Sequence, residues 1–339
     1  MKVKTALVSG CTGQDSAYLS KLLLDKGYKV IGGARRGSER EFWRLKKMGI
    51  LDRVEIVDFE LLDYTNMYEV IMKYKPDEIY NLGAQSFVGT SFKQPLSAIE
   101  TNGVAVCKLL DIIKTFAPDT KIYQASTSEM FGEVRETPQN EYTPFNPVSP
   151  YGVSKMLAHN MMETYRKAYK TFACCGILFN HESALRGDEF VTKKITDYVR
   201  EYRDNNGVVK KTLQLGNMNA QRDWGFAGDY VKAMWLMMQI PIPNTYVIGT
   251  GMKYSIRDFV EMAFHCIEVP IVWSGEGLNE KGKNANTGQI LVEVDEKFYR
   301  PFDVETLLAD YSKANKALKW KPETTIHKLV EMMVNDTVF

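Results

Sequence analysis

The chain has 339 residues, of which 45% are hydrophobic and 25% charged, and its formal net charge is +1. These values are typical of a globular protein with one or two domains, and the near-zero charge gives no reason to expect a nucleic-acid partner. No apolar run approaches the roughly 18 residues of a membrane span, and the first run, residues 5–8, is too short for a signal peptide. Five cysteines without metal-site spacing predict reduced thiols, no metal and a cytoplasmic location.

The chain opens with a strand, a glycine turn and a helix. Residues 4–8 are an apolar strand pattern, and a helical pattern of leucines follows until Gly27 ends it. Between them, Gly10 permits a tight turn and Gly13 allows the backbone to approach a pyrophosphate at the helix N-terminus. A glycine turn can be only a turn, but its place at the first strand–helix junction favours dinucleotide binding.

Two arginines follow the second predicted strand, residues 29–33. An NAD-specific site of this type has an acidic residue there for the ribose 2′-hydroxyl. This chain has Arg35 and Arg36 instead, and a guanidinium suits a 2′-phosphate. The pattern favours NADP; the alternative is that one or both arginines are surface charges.

Strands and helices then alternate. Further strands are predicted at 54–57, 78–82, 121–125 and 173–179, and a long helix at 97–116. This alternation predicts an α/β fold with a Rossmann-type, doubly wound parallel sheet. Ligands of such sheets bind beyond the carboxyl ends of the strands, where polar residues of this chain cluster: 10–15, 35, 82–86, 127–129 and 180–181.

Beyond residue 180 the alternation loosens. Helices are predicted at 191–202, 229–239, 255–267, 312–318 and 325–336, strands at 213–216 and 245–249, and a Gly/Asn-rich loop at 275–288. We therefore expect a smaller, discontinuous C-terminal substrate lobe. Residues 1–180 form the predicted NADP-binding domain, with later returns near 212–250, and 181–211 and 251–339 form mainly the substrate lobe.

Tyr151 and Lys155 are spaced as neighbours on one face of a helix. A free tyrosine titrates near ~10, and a nearby ammonium group favours the phenolate, which makes a general base. In isolation this spacing more often marks a packed tyrosine and a solvated lysine. Here it follows a Ser/Thr-rich strand end in a chain with a dinucleotide turn, which favours the catalytic interpretation.

Several stretches resemble the extended short-chain dehydrogenase/reductase family and, within it, the GDP-mannose 4,6-dehydratases. They include GCTGQD at 10–15, ARR at 34–36, NLGAQSFVG at 81–89, YQASTSEMFG at 123–132, SPYGVSK at 149–155, GILFNHES at 176–183, RGDEFVTKKIT at 186–196, QRDWGFAGDYVKAMW at 221–235 and YRPFDVETLLAD at 299–310. The dinucleotide turn and the Tyr–Lys pair are shared widely, whereas FNHES and QRDWGFAGDYVKAMW are specific to this type of dehydratase.

The resemblance implies roles for individual residues. The catalytic residues it implies are Thr127, Glu129, Tyr151 and Lys155. The NADP-binding residues it implies are Gly10, Cys11, Thr12, Gly13, Gln14, Asp15, Arg35, Glu60, Leu61, Leu82, Gly83, Ala84, Gln85, Ser86, Tyr151, Lys155, His181 and Arg186. The sugar-nucleotide contacts it implies are Ser86, Thr127, Asn180, Lys194, Arg222 and Arg300, of which the two arginines could instead be surface or salt-bridged groups.

The implied reaction oxidises C4 of GDP-mannose, eliminates water across C5 and C6, and reduces C6. Tyr151 would take the O4 proton, Thr127 would hydrogen-bond O4, and Glu129 would remove the C5 proton. Glu129 is the feature that favours dehydration over simple oxidation. Alternatives are the same reaction on GDP-manno-heptose, a nucleotide-sugar reductase or epimerase, or a non-catalytic NADP-binding protein.

The sequence departs from the family pattern in places. Ser16 replaces the third glycine of the cofactor turn, Glu60 stands where Asp is usual, and Ala184 and Leu185 replace a Pro-Arg pair. We expect Ser16 to crowd the helix against the strand slightly. The resemblance also implies a homo-oligomer, a dimer or a tetramer, with contacts through residues 35–44.

Overall fold

A seven-stranded parallel sheet forms the centre of the protein. The computed structural model describes residues 2–38, 42–298 and 306–339. The central strands are β1 (Thr5–Ser9), β2 (Lys29–Ala34), β3 (Glu55–Asp58), β4 (Glu78–Asn81), β5 (Lys121–Thr127), β6 (Ala173–Leu178) and β11 (Thr245–Ile248). Their order is β11-β6-β5-β4-β1-β2-β3, and every neighbouring pair is parallel.

Helices cover both faces of this sheet, and the inner strands β1, β4, β5 and β6 are accordingly largely buried. Helices α1 (Gln14–Asp25) and α9 (Ala227–Gln239) pack on one face around a core that includes Tyr18 and Met234. On the other face lie α3 (Tyr64–Tyr74), α6 (Ala105–Phe116) and α7 (Pro150–Tyr169), whose buried residues include Leu109 and Met162. The predicted α/β Rossmann-type fold is confirmed.

The helix predicted at 97–116 is not regular. Helices α4 (Val88–Lys93) and α5 (Pro95–Ile99) precede a π-helical turn, Glu100–Val104, which leads into α6. Asn102 is buried in this turn, where its side chain accepts a hydrogen bond from Gln85 N (2.8 Å) and donates to Ser154 Oγ (3.0 Å). The wider turn therefore connects the loop after β4 to helix α7.

A smaller lobe is built around a second sheet. Strands β8 (Leu213–Leu215), β13 (Ile271–Ser274), β14 (Lys281–Asn284) and β15 (Ile290–Val294) pair in the order β13-β14-β15-β8. Helices α8 (Val191–Asp204), α10 (Ile256–His265) and α12 (Ile326–Val334) pack with it around one apolar core. The expectation of a loop at 275–288 is wrong at Lys281–Asn284, because β14 pairs there on both edges.

Short elements complete the chain. A small parallel pair joins β7 (Asn180–Glu182) to β10 (Trp224–Phe226). A small antiparallel pair joins β9 (Gln221–Arg222) to β12 (Tyr254–Ser255). The remaining helices are α2 (Trp43–Lys47) and α11 (Ser312–Leu318). The division into domains stays a prediction: within 212–250, α9 and β11 join the large sheet, whereas β8 joins the small one. Among the described residues no helix is long and apolar enough to cross a membrane.

Candidate active site

A cavity of about 590 Å³ opens at the carboxyl ends of the central strands. Thr127, Glu129, Tyr151 and Lys155 line it from β5 and α7, and residues of the small lobe close its far side. Parallel strands end at the same edge of a sheet, so residues far apart in the chain meet there. The four residues with implied catalytic roles therefore share one cavity.

Strand β5 and helix α7 bring Glu129 close to Tyr151. Thr127 ends β5, and its Oγ1 accepts a hydrogen bond from Glu129 N at 3.2 Å. Ser149 caps α7 by accepting from Gly152 N at 3.0 Å. A Cβ added at Gly152 would lie 2.7 Å from the Glu129 carbonyl oxygen. The glycine therefore lets the helix carrying Tyr151 touch the turn carrying Glu129.

The electrostatics of Tyr151 differ from the expectation of a lowered pKa. Lys155 Nζ donates to the Ala125 carbonyl at 3.0 Å and lies 5.9 Å from the centre of the Tyr151 ring. Burial raises the pKa of Tyr151 to about 12, although its hydrogen bond with Thr127 acts in the opposite direction. Burial also lowers the pKa of Lys155 to about 8. In this state Tyr151 is a neutral phenol, because desolvation outweighs the groups that act to lower its pKa, Thr127 and Arg186.

The glycine turn fits a dinucleotide. Gly10 has φ +65°, and a Cβ there would lie 2.7 Å from the Cα of Gly83. Gly13 precedes α1, and no side chain of the described residues caps that helix. Its first N–H groups are therefore available to a pyrophosphate. A Cβ added at Gly83 would lie 2.9 Å from Leu61 Cδ1, so Leu61 also lies beside the turn.

Ser16 stabilises this turn. Its hydroxyl donates to the Gly10 carbonyl at 2.7 Å, and the side chain is buried. The predicted crowding is thus replaced by a hydrogen bond that closes the turn. Cys11 is also buried, its N–H donates to the Gly33 carbonyl at 3.0 Å, and the Thr12 carbonyl accepts from Arg44 Nη1 at 2.9 Å.

A partly buried ion pair links the cofactor turn to β7. His181 Nδ1 lies 2.7 Å from the Phe179 carbonyl, to which it must donate, and His181 Nε2 lies 2.8 Å from Asp15 Oδ2. Burial opposes both charges, but their mutual attraction outweighs it: the pKa of Asp15 is lowered and that of His181 is raised. Gln14 adds a second link, because its Nε2 donates to the His181 carbonyl at 3.1 Å.

The remaining residues with implied cofactor roles lie around the same strand ends. Arg35 is exposed after β2, and Glu60 accepts a hydrogen bond from Leu62 N at 3.3 Å. Gln85 is held by Asn102. Arg186 pairs with Glu182 (Nε–Oε2 3.0 Å). The cavity lining includes Asp15, Leu82, Ala84, Ser86, His181 and Arg186.

The residues with implied sugar-nucleotide contacts are brought together in part. Ser86, Asn180, Lys194 and Arg222 line the cavity, and Arg222 Nη1 donates to the Gln221 carbonyl at 2.9 Å. Arg300 lies outside the described residues. The individual roles of these residues stay predictions.

Sequence reasoning missed two groups of lining residues. Phe87, Thr90 and Phe92 line the cavity from the start and body of α4; Phe87 falls within the stretch 81–89 that carried the resemblance, and the other two follow it. Phe298 lies between Lys194 and Lys297, whose Nζ atoms are each 4.9 Å from its ring centre. No local pattern marks Phe298, since the small lobe brings it there. Within the described parts of the chain no side-chain cluster could hold a metal ion.

Comparison with known proteins identifies the family. Residues 7–333 match the family described as GDP-mannose 4,6 dehydratase. The chain belongs to this family. The GDP-mannose 4,6 dehydratase of Homo sapiens is 44% identical over 341 residues, covering 98% of this chain and 91% of that protein. The GDP-mannose 4,6-dehydratase of Vibrio cholerae is 42% identical over 351 residues, covering 98% and 94%. Family members of this name are hydro-lyases, so the predicted family and enzyme class are confirmed.

Solved structures support the fold of this GDP-mannose 4,6-dehydratase family member. A UDP-glucuronic acid 4-epimerase from Bacillus cereus, in complex with UDP-glucuronic acid and NAD, has a TM-score of 0.80 and 19% identity, covering 98% of both chains. A dTDP-glucose 4,6-dehydratase from Bacillus anthracis in complex with NAD has a TM-score of 0.80 and 20% identity, covering 98% and 96%. At this identity the likeness establishes the architecture alone.

Proposed function

We propose that the protein converts GDP-mannose to GDP-4-keto-6-deoxymannose by moving a hydride within the sugar from C4 to C6. The observation that carries this proposal is the position of Glu129 in the same cavity as Tyr151, Lys155 and Thr127. Oxidation alone needs a base at O4, whereas loss of water also needs a group at C5. Glu129, two residues after β5 ends at Thr127, provides the group at C5.

The chain's own groups divide the reaction between them. Thr127 binds O4, and Tyr151 accepts its proton once the phenol has ionised. A nicotinamide dinucleotide, when bound, supplies the hydride acceptor at C4 and donor at C6. Lys155 is buried and has a pKa of about 8, so its ammonium and amine forms are both accessible near neutral pH. When Lys155 is charged, it favours ionisation of Tyr151. Glu129 removes the C5 proton, which the 4-ketone acidifies, and assists departure of the C6 hydroxyl as water.

NADP is the cofactor that the strand ends favour. Arg35 is exposed just beyond β2, and neither it nor Arg36 has an ion pair with any described residue. A guanidinium at this position can pair with a 2′-phosphate. We expect Arg35→Ser to raise KM for NADP about tenfold, the loss of one charge-assisted hydrogen bond, and to change KM for NAD much less. Arg53→Ser, an exposed change elsewhere, is the control; equal effects on both cofactors would contradict the assignment.

Mass spectrometry of a turnover mixture tests the function. Purified protein is incubated with GDP-mannose and catalytic NADP. The expected product is lighter by one water, with no net NADPH. Product formation matched by consumption of added NADPH would favour the reductase alternative, and a product of unchanged mass would favour the epimerase. Dehydration of GDP-manno-heptose but not of GDP-mannose would keep the mechanism and change the substrate. No reaction with either would favour a non-catalytic role.

The location and assembly state are part of the proposal. The cysteines of the described chain are free, which supports a reducing, cytoplasmic environment. Large apolar side chains are exposed on helices α5 and α7 and on the π-helical turn between α5 and α6, which supports self-association as a dimer or tetramer. The partner molecule is a GDP-sugar, recognised through cations for its pyrophosphate.

A further inference from the structure

A buried histidine lies one turn below Lys155 on helix α7. Tyr151, Lys155 and His159 follow each other at intervals of four residues, so they share one face of the helix. Within the described lining of the cavity, α7 contributes Tyr151 and Lys155. His159 lies beneath them, with 2% of its surface exposed. It therefore touches no substrate, and its effect must act through other residues.

Three consecutive residues of β5 contact this helix face. Lys155 Nζ donates to the Ala125 carbonyl at 3.0 Å, Ser126 Oγ lies 2.8 Å from His159 Nδ1, and the Thr127 hydroxyl faces the Tyr151 phenol and acts to lower its pKa. The Ser126–His159 contact is the one that lies farthest from the cavity mouth along the helix. It is also a fixed side-chain pair with both members buried. The Ser126–His159 contact therefore fixes the register of α7 against β5 at a position beneath Tyr151 and Lys155.

The protonation state of the imidazole follows from its surroundings. Burial lowers the pKa of His159 to about 4, so the ring is neutral at neutral pH and carries one N–H. Nε2 faces the Glu163 carboxylate at 3.9 Å, and the negative charge of that group favours the tautomer with its proton on Nε2. Nδ1 is then an acceptor and Ser126 donates to it. The other ionisable groups facing this pair are Arg166, on the same helix, and Cys175, on β6 next to Ser126.

Glu163 is itself fixed to the sheet. Its Oε1 accepts from Thr245 Oγ1 at 3.3 Å and from Arg166 Nη2 at 3.2 Å, and Thr245 begins β11. The edge of the Phe145 ring packs against His159, with ring centres 5.2 Å apart. The imidazole is thus held from both sides, between β5 and β11. The Ser126–His159–Glu163 arrangement resembles a hydrolytic triad, and Ser126 borders the cavity. Ser126 is only 3% exposed, however, and His159 Nε2 lies 3.9 Å from Glu163, beyond hydrogen-bond distance, so the arrangement is poorly placed for attack on a substrate.

We propose that His159 is a positioning residue for the reaction: by accepting the Ser126 hydroxyl, its neutral imidazole fixes the register in which Tyr151 meets Thr127 and Glu129. This inference rests on the proposed function. A misplacement of about 1 Å between reacting groups can cost up to a hundredfold in rate. The contact sets the geometry of the chemical step on β5 and α7, whereas Asn180, Lys194 and Arg222 line the cavity from other elements.

Steady-state kinetics on purified variants test the proposal. We expect His159→Leu to lower kcat about tenfold or more while KM for GDP-mannose stays within about twofold. Ser126→Ala should lower kcat similarly, and the double variant no further, because both changes remove one interaction. His159→Gln, whose carbonyl can accept the Ser126 hydroxyl, should recover most of the activity. The matched control is Met162→Ala, a buried packing change on the same helix.

Two outcomes of the kinetics would overturn the role. One is a kcat of His159→Leu equal to that of the parent. The other is an equal loss in Met162→Ala, which would reduce the effect to general packing. A parent protein that dehydrates neither GDP-sugar would count against the proposed function instead.

A spectroscopic measurement keeps the inference testable without turnover. Nitrogen-15 labelling of the four histidines allows NMR of the ring nitrogens, and His159→Gln assigns the His159 signals. We expect an unprotonated Nδ1 and a protonated Nε2, with the Nδ1 shift changing in Ser126→Ala. A protonated Nδ1, or a shift indifferent to Ser126, would overturn the inference.

Discussion

Glu129 reaches the cavity from a single turn of 3₁₀ helix, Ser128–Met130, that follows directly on β5. Its backbone position is fixed on one side by Thr127 Oγ1 and on the other by the close approach of Gly152. The backbone that carries its carboxylate is therefore held in place on both sides. A group that removes a proton from a defined position on a substrate needs such support. At the scale of single residues, this is the group that we propose distinguishes dehydration from oxidation.

Replacement of Glu129 should separate the steps of the reaction. In Glu129→Gln the amide cannot take the C5 proton, so we expect product formation to fall about a hundredfold or more. Oxidation at C4 should continue, because Tyr151, Thr127 and Lys155 are unchanged. Single-turnover absorbance should then show the reduced cofactor accumulating. Glu133→Gln, an exposed change in the same loop, serves as the control. Equal loss of oxidation and dehydration would refute the assigned role.

The Asp15–His181 pair connects β7 to the cofactor turn and gives a pH dependence. The pKa of His181 is raised, so its contribution to stability is complete below its unfolded value of ~6.5 and is lost as pH rises through the folded value. The pKa of Asp15 is lowered, so its contribution is present above its unfolded value of ~3.9 and is lost as pH falls through the folded value. The pair therefore stabilises the fold most between these two unfolded values.

Urea unfolding at several pH values measures this contribution. We expect the difference in the free energy of unfolding between the parent and Asp15→Asn to be largest near pH ~5–6 and to shrink at alkaline pH. His327→Gln, on the exposed side of α12, is the control and should show no such trend. A difference that stays constant with pH would mean that the pair is not ionised.

At the scale of elements, the loop between β5 and α7 depends on one glycine. Gly132 has φ +55°, and a Cβ there would collide with the Asn146 carbonyl. We expect Gly132→Ala to lower the free energy of unfolding by about 3 kcal/mol. Gly277→Ala is a close control, because Gly277 has φ +58° with open space around it; that change should cost about 1 kcal/mol. If chemical denaturation gave similar losses in the free energy of unfolding for both variants, the collision at Gly132 would have to be relieved by movement of the Asn146 backbone.

Elements with strong local patterns were predictable, and those set by distant pairing were not. The apolar runs of β1 and β6 are buried on both faces, so sequence alone placed them to within one residue at each end. Strand β14 has the sequence KGKN, which reads as a loop, and it is a strand because β13 and β15 pair with both its edges. Likewise the ring of Phe298 and the raised pKa of Tyr151 depend on tertiary packing and burial, which no spacing encodes.

At the scale of the whole molecule, the cavity belongs to both lobes. The large sheet supplies the groups with implied chemical roles, and α8, β8 and the 3₁₀ turn Glu296–Phe298 supply Lys194, Leu215 and Phe298. The two cores are separate clusters of apolar residues. The small lobe can therefore vary its side of the cavity while the groups with implied chemical roles at the end of β5 and on α7 stay unchanged.

Exposed apolar side chains on the outer helices predict where two molecules of the protein associate. Leu96 on α5, Val104 in the π-helical turn and Val153 on α7 are 73%, 38% and 41% exposed, and their helical segments pack against one another. Exposed apolar surface on adjoining elements marks an interface more often than a free face. We expect the double variant Leu96→Glu, Val153→Glu to lower the mass measured by light scattering from that of an oligomer to that of one chain.

The control for this experiment is Ile242→Glu, since Ile242 is 74% exposed in the turn after α9. It introduces the same charge into a different surface and should leave the mass unchanged. Because Val153 lies two residues from Tyr151 on α7, dissociation should also lower kcat if the interface supports that helix. Unchanged mass in the double variant would exclude this face as the interface. Dissociation with full activity would show that each chain forms its active site alone.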